Sequence, residues 1–461
     1  MSSRRSPTVV ASAPAGPAGS VGPVGPVGPT GATPLVALAD VGAYVPTSAG
    51  GAVGRTDREA PGVPTASDAV TLRLADGTRH PLALGPGARE QAMRWSQILR
   101  SRRRWVDDAG ARDRLADDCR ETLASSFGVD DALLARLAAA RAIEVEIPFV
   151  EDAAAWEGRV LPWEYLLSGA TRALRHDRTL TISRRLVVAG REDERPAAPV
   201  APRRAFYLEC APGAVARRFS FDWERRMVAA ALPSIGVAMQ QTPTAAALEA
   251  RVVEEAPDVV HVAGVDVHQG MALLRPGEDV RVGDGLLLVD GGGGARAVAA
   301  EEAARLLTAG APAPRLVAFN VHNSGARLAA LAVARGAGAA LGFQDEVDDE
   351  LAELFFTAFY ARWQRAGWAL HQAFDEAWAA VRAQHDRVQG TGVVLWTAAS
   401  RFEAPAPPAP DGAGNGAAEH GAHGTNGLGA RRGRLRGGRT ATAAARSIRQ
   451  EQVVRVAALV L

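Results

Sequence analysis

Between Ile143 and Phe402 short apolar runs alternate with longer stretches of helical periodicity, and that alternation restricts the fold more than any other feature of the chain. Strands buried on both faces of a sheet read as nearly unbroken apolar runs, and parallel neighbours need a crossover of about a dozen residues or more between them. The strand candidates are Ile143–Ile147, which alternates, and the more apolar runs Thr179–Val188, Ala205–Glu209, Asp258–Gly264, Leu316–Phe319, Ala339–Phe343 and Gly392–Trp396, and helical segments lie between most of them. Trp223, Met227, Val228 and Ala231 make one apolar stripe, and Leu248 and Val252, after a capping Thr244, make another. Two long amphipathic helices carry Leu351, Leu354, Phe355, Ala358, Phe359 and Trp363, then Leu370, Phe374, Trp378 and Val381. The turn Asp290-Gly291-Gly292-Gly293-Gly294 marks a hairpin inserted ahead of the Leu306–Leu307 helix. The expected fold class is α/β, a mostly parallel sheet with helices on both faces.

The flanks have a different grammar. Across residues 1–62 a glycine recurs every third position from Gly16 to Gly31, with Pro and Val between. So few triplets cannot hold a triple helix, and an extended, disordered leader is expected. Residues 63–140 read as a small helical and β N-terminal region: a strand at Val70–Leu74, a turn at Asp76-Gly77, a second short strand through Leu82–Leu84, then two or three helices from Arg89 to about Ala140. Residues 141–402 are the α/β domain. Residues 403–440 form a flexible linker with an arginine-rich patch, and 441–461 an apolar C-terminal segment.

Composition excludes several functions. There is no lysine, so a Walker-type phosphate loop and any Schiff-base mechanism are ruled out. The formal net charge is +1, which gives no global field towards nucleic acid or membrane. The patch Arg431, Arg432, Arg434, Arg436 and Arg439 lacks interleaved aromatics and reads as solvated tail rather than a nucleic-acid site. No apolar run reaches the roughly 18 residues needed to span a bilayer, and no signal peptide is visible. Two cysteines, Cys119 and Cys210, make no disulfide framework, and the cytoplasm is the expected compartment.

Two consecutive strands of the expected sheet end in polar turns: Val259-Val260-His261-Val262-Ala263-Gly264-Val265-Asp266 and Leu316-Val317-Ala318-Phe319-Asn320-Val321-His322-Asn323-Ser324-Gly325. Ligands of open α/β sheets bind beyond the carboxyl ends of the strands, so these side chains are candidates by position. Together with Leu161-Pro162-Trp163-Glu164 upstream and Gly342-Phe343-Gln344-Asp345-Glu346-Val347-Asp348-Asp349 downstream, they resemble the CHAT domain, a caspase-like family of clan CD cysteine peptidases. The resemblance implies a caspase-like sheet over residues 141–402. It also implies work within bacterial defence or signalling assemblies.

In that family the first strand end typically reads His-Phe-Ala-Gly-His-Gly, its second histidine the general base, and the next reads Leu-Asn-Ala-Cys-x-Ser-Gly, its cysteine the nucleophile. Carried over by motif, the base position falls on Val265 and the nucleophile position on His322. His261, Gly264, Asn320, Ser324 and Gly325 keep the scaffold residues, and Asp349 stands at the family's recurrent aspartate. Cysteine serves there because sulfur is strongly nucleophilic and ionises beside an imidazole, whereas valine neither accepts a proton nor orients a thiol. The expectation is therefore a catalytically inactive homologue, binding a protein or peptide through crevice candidates His261, Asp266, His268, Asn320, His322, Ser324, Asp345 and Asp349. The competing expectation is a hydrolase that uses the displaced residues His268, His322 and Ser324. His261, His268 and His322 are ligand types suited to zinc, but they form no compact spaced pair, and neither a metal nor another cofactor is expected.

Overall fold

The computed structural model describes residues 69–84, 87–100, 109–149, 157–174, 180–233, 235–275, 284–344, 349–384 and 392–405. The expected leader, the linker beyond Pro405 with its arginine patch, and the apolar C-terminal segment lie outside these residues. The strands are β1 (Val70–Leu74), β2 (Arg79–Leu82), β3 (Ala142–Pro148), β4 (Thr181–Val187), β5 (Arg204–Cys210), β6 (Gly236–Gln241), β7 (Val259–Gly264), β8 (Gly285–Val289), β9 (Ala295–Ala299), β10 (Leu316–Asn320), β11 (Ala339–Phe343) and β12 (Val393–Thr397). Ten of them form one sheet in the order β2-β1-β3-β4-β12-β11-β10-β7-β5-β6, and β8 and β9 make a separate hairpin. From β4 through β12, and again from β11 to β6, neighbours run parallel, while β12 runs antiparallel to β11.

The α/β expectation therefore holds. The N-terminal hairpin joins the same sheet, with β1 antiparallel to β3. Among the described elements one strand escaped the sequence reading, β6, whose Gly236-Val237-Ala238-Met239-Gln240-Gln241 has too little contrast between faces to announce a strand, and so did the helices Ala214–Arg218 and Val267–Leu274.

Side chains alternate across the sheet and feed two apolar layers. Phe206, Leu208, Val317 and Phe319 turn to a layer with Leu166, Leu248, Leu306 and Leu328. Tyr207, Leu316, Ala318 and Leu341 turn to the other, where helices Asp349–Arg365 and Leu370–Gln384 contribute Phe355, Phe356, Phe359 and Phe374. The helix Asp222–Ala231 departs from its expected stripe: Trp223 is 40% exposed, and Glu224 is buried beside Met227 and Val228. A partner for that carboxylate inside the sheet reverses the ordering that hydrophobicity alone predicts.

Strand β3 shows the same override. Ile143-Glu144-Val145-Glu146-Ile147 alternates as a half-exposed strand would, yet both glutamates are buried. Glu146 bonds Arg185 at 3.1 Å and Arg79 at 3.0 Å, and Glu144 accepts from Ser400 Oγ and the Arg401 amide, each at 2.7 Å. Arg73 reaches Glu403 at 3.0 Å, so the N-terminal hairpin and the last described residues close over one charged patch. Burial raises the Glu144 carboxyl above its ordinary value of 4.5 despite those bonds. A carboxyl whose folded value is raised binds its proton better folded than unfolded, so its contribution is greatest below the ordinary value and fades as pH rises through the folded one. Glu144→Gln should therefore gain stability relative to wild type as pH increases above 4.5, read as a widening difference in Tm across a pH series.

Candidate functional site

The crevice begins at the carboxyl ends of β7 and β10. Asn320 pairs with Ala263 in the parallel ladder, so Val265 and His322, each two residues further on, leave adjacent strands from the same level. Glycine lets β5 and β7 approach here, since a Cβ on Gly264 would stand 2.9 Å from the Cys210 Cβ and carbonyl oxygen. The next turn is built as tightly. Ser324 is 2% exposed; its hydroxyl donates to the Val321 carbonyl at 2.7 Å and accepts from the Phe343 amide at 3.1 Å. The Gly325 amide donates to the Phe343 carbonyl at 2.7 Å, and a Cβ on Gly325 would strike that backbone at 2.9 Å. Asn323 supplies the left-handed residue, φ 56°, a conformation asparagine tolerates better than most side chains.

Behind this turn lies a buried cation. Arg184 of β4 is fully buried and grips Glu164 with two hydrogen bonds, one of 2.9 Å from Nε and a second from Nη2. Its Nη2 also donates to Gln344 Oε1 at 3.0 Å and its Nη1 to the Arg159 carbonyl at 2.6 Å. Gln344 returns a bond to the Val160 carbonyl at 2.6 Å. The Trp396 ring lies 5.3 Å from the guanidinium carbon and its indole N–H donates to the Gly325 carbonyl at 2.6 Å. Glu164 and Gln344 thus meet around one arginine, and Gly325, from a third sequence motif, is tied to it through Trp396. Arg159 sits at the same rim over the Phe149 ring, its guanidinium held below the usual range by burial and by the charge of Arg327.

The remaining candidates are distributed otherwise than the sequence suggested. His261 does not line the crevice. It is 1% exposed within the helical layer, with Nε2 2.6 Å from Glu224 Oε1 and Nδ1 2.8 Å from the Tyr360 hydroxyl. A carboxylate only accepts, so Nε2–H donates to Glu224, while Nδ1 shares a hydrogen bond with the Tyr360 hydroxyl. Both nitrogens are thereby committed, and neither is open to a metal. Asp266 caps the helix Val267–Leu274, accepting from the Gln269 amide at 3.0 Å. His268, on that helix, lies 3.2 Å from Asp284 with its side chain half exposed. His322 and Asn320 are partly buried at the crevice mouth. Asp349 opens the helix Asp349–Arg365, and Asp345 lies outside the described residues. Among the described residues no group of three or more His, Cys, Asp or Glu side chains is placed to hold a metal ion.

Val265 is buried in a small apolar cluster with Ala211, Val215, Val267, Met271 and Leu287. The position onto which the motif resemblance carries the base is thus lined by hydrocarbon. Both cysteines are buried, and burial pushes their thiols far above the ordinary range, so neither supplies a thiolate.

This arrangement agrees with the comparison to known families, in which the CHAT domain matches residues 128–407. The chain belongs to the CHAT family. The match starts at Gly128, ahead of the expected boundary at 141, and takes in the helix Asp131–Ala139. No curated protein sequence matches the chain. The caspase-like framework of the CHAT domain is the mixed sheet described above, with the β7 and β10 turns at its mouth.

Sequence reasoning missed Arg184, Glu224, Gln344 and Tyr360. Two of them left a signal: Arg184-Arg185 interrupts an otherwise apolar strand run, and Glu224 falls within an apolar helical stripe. Charges at such places are retained only with partners. Replacing His261 by Leu strands Glu224 and Tyr360 without their bonds and should cost about 3 kcal/mol. Ser324→Ala, which orphans the buried Phe343 amide, should cost about 2 kcal/mol. His322→Ala should stay within about 0.5 kcal/mol, as surface substitutions usually do. Chemical denaturation of the three variants checks the ranking.

Proposed function

We propose that this protein is a catalytically inactive CHAT homologue that binds a peptide or a partner protein at the crevice without cutting it. One observation carries the reading: the positions onto which the motif resemblance carries the family's base and nucleophile hold Val265, sealed in an apolar cluster, and His322, while the turn that carries His322 is stapled intact by Ser324 and Gly325. A scaffold maintained at this precision around an absent thiolate serves recognition rather than hydrolysis. The role we assign is that of an adaptor or regulator in a bacterial defence or signalling assembly, acting in the cytoplasm. Its partner engages the mouth at Asn320 and His322.

The test is binding of the proteins encoded by neighbouring genes, measured by isothermal titration with the full chain. The expected result is a complex in which the partner keeps its full mass, weakened at least about tenfold by His322→Trp, which obstructs the mouth. A partner whose affinity is indifferent to His322→Trp overturns the assignment of the crevice as its docking place.

A further inference from the structure

The two edges of the ten-stranded sheet are treated differently. An edge strand exposes unpaired backbone N–H and C=O groups, and proteins that remain monomeric guard such edges with charge, proline or a covering segment. β2 follows that rule, with Arg79, His80 and Pro81 in its four residues. β6 does not. Its sequence Gly236-Val237-Ala238-Met239-Gln240-Gln241 has neither a charge nor a proline, and among the described strands only β5 pairs with it.

The surroundings of β6 say which occupant fits. Val237 and, two residues on, Met239 face the layer of Met227 and Val228, and Met239 is left 41% exposed as an apolar side chain at the rim. Most charges on the flanking helices are matched within the chain, Arg225 with Asp222 and Glu209, Arg251 with Glu254 and Glu255, and Glu249 with Arg305, while Arg226 makes no ion pair among the described residues. The strand itself carries no charged residue that would select an acidic or a basic strand beside it. It does permit an identical strand, because an uncharged strand lies beside its own copy without like-charge opposition. A two-fold axis at Met239 and normal to the sheet keeps both faces continuous, sets Met239 against the second copy's Met239, and sets Val237 against its Gln241.

We infer that β6 is a homodimer edge, pairing antiparallel with the β6 of a second copy about Met239. The axis makes the pairing directly testable, since a Met239→Cys variant would place two thiols on opposed residues, within the range of Cα separations a disulfide bridges. The native Cys119 and Cys210 are buried and do not compete. With the full chain under mild oxidant, Met239→Cys should give a disulfide-linked dimer, and Val253→Cys, a 55% exposed position on the helix Ala245–Glu255, should not. In sedimentation equilibrium the wild type should dimerise, and Met239→Arg should weaken dimerisation at least about tenfold while leaving the circular dichroism spectrum unchanged. A wild type that stays monomeric at every concentration overturns the inference. So does a dimer indifferent to Met239→Arg, or cross-linking no better at 239 than at 253.

Discussion

The fold at the crevice depends on the buried ion pair between Arg184 and Glu164. A guanidinium without solvent inside a sheet is tolerated only when its donors are met, and here a carboxylate, an amide oxygen, a backbone carbonyl and an indole face share the task. Because those partners come from the Leu161-Pro162-Trp163-Glu164 segment, the end of β11 and β12, the pair locks regions far apart in sequence into one geometry. The turn after β10 is registered through Trp396 and Gly325 against that cluster. Removing either member of the pair would leave the other charged and buried, a larger penalty than the pair's net contribution to stability.

A second polar core lies on the opposite face, where Glu224, His261 and Tyr360 tie β7 to two helices. The two networks bracket the crevice strands from both sides and hold the mouth in place whatever occupies it. This separates scaffold from chemistry. His261 and Ser324, both crevice candidates by sequence, are consumed in holding the frame, whereas Val265 and His322 are the positions onto which the motif resemblance carries the family's base and nucleophile. That division is what supports the proposed role in recognition.

What the sequence made legible follows from which forces are local. Apolar strand runs and helical stripes are written in adjacent residues, so the parallel sheet, the crossovers and the capping Thr244 could be read directly. The strand ends at Gly264 and Asn320 were equally plain. Long-range pairing was not. Nothing near Glu144 or Glu146 in the chain announces that Ser400, Arg401 and Arg185 will cover them, and nothing near His261 names Glu224 or Tyr360. The edge strand β6 was lost for the opposite reason: with weak burial on either face, its sequence carries little periodic contrast.

The claim on which the account rests is that this crevice recognises without hydrolysing. The measurement that reaches it most directly is mass spectrometry of candidate peptides and neighbouring gene products after prolonged incubation with the purified full chain, run beside a His268→Ala, His322→Ala double variant. The account predicts intact substrates in both reactions. Cleavage by the wild type that the double variant loses would contradict it, and would assign the reaction to the displaced histidines.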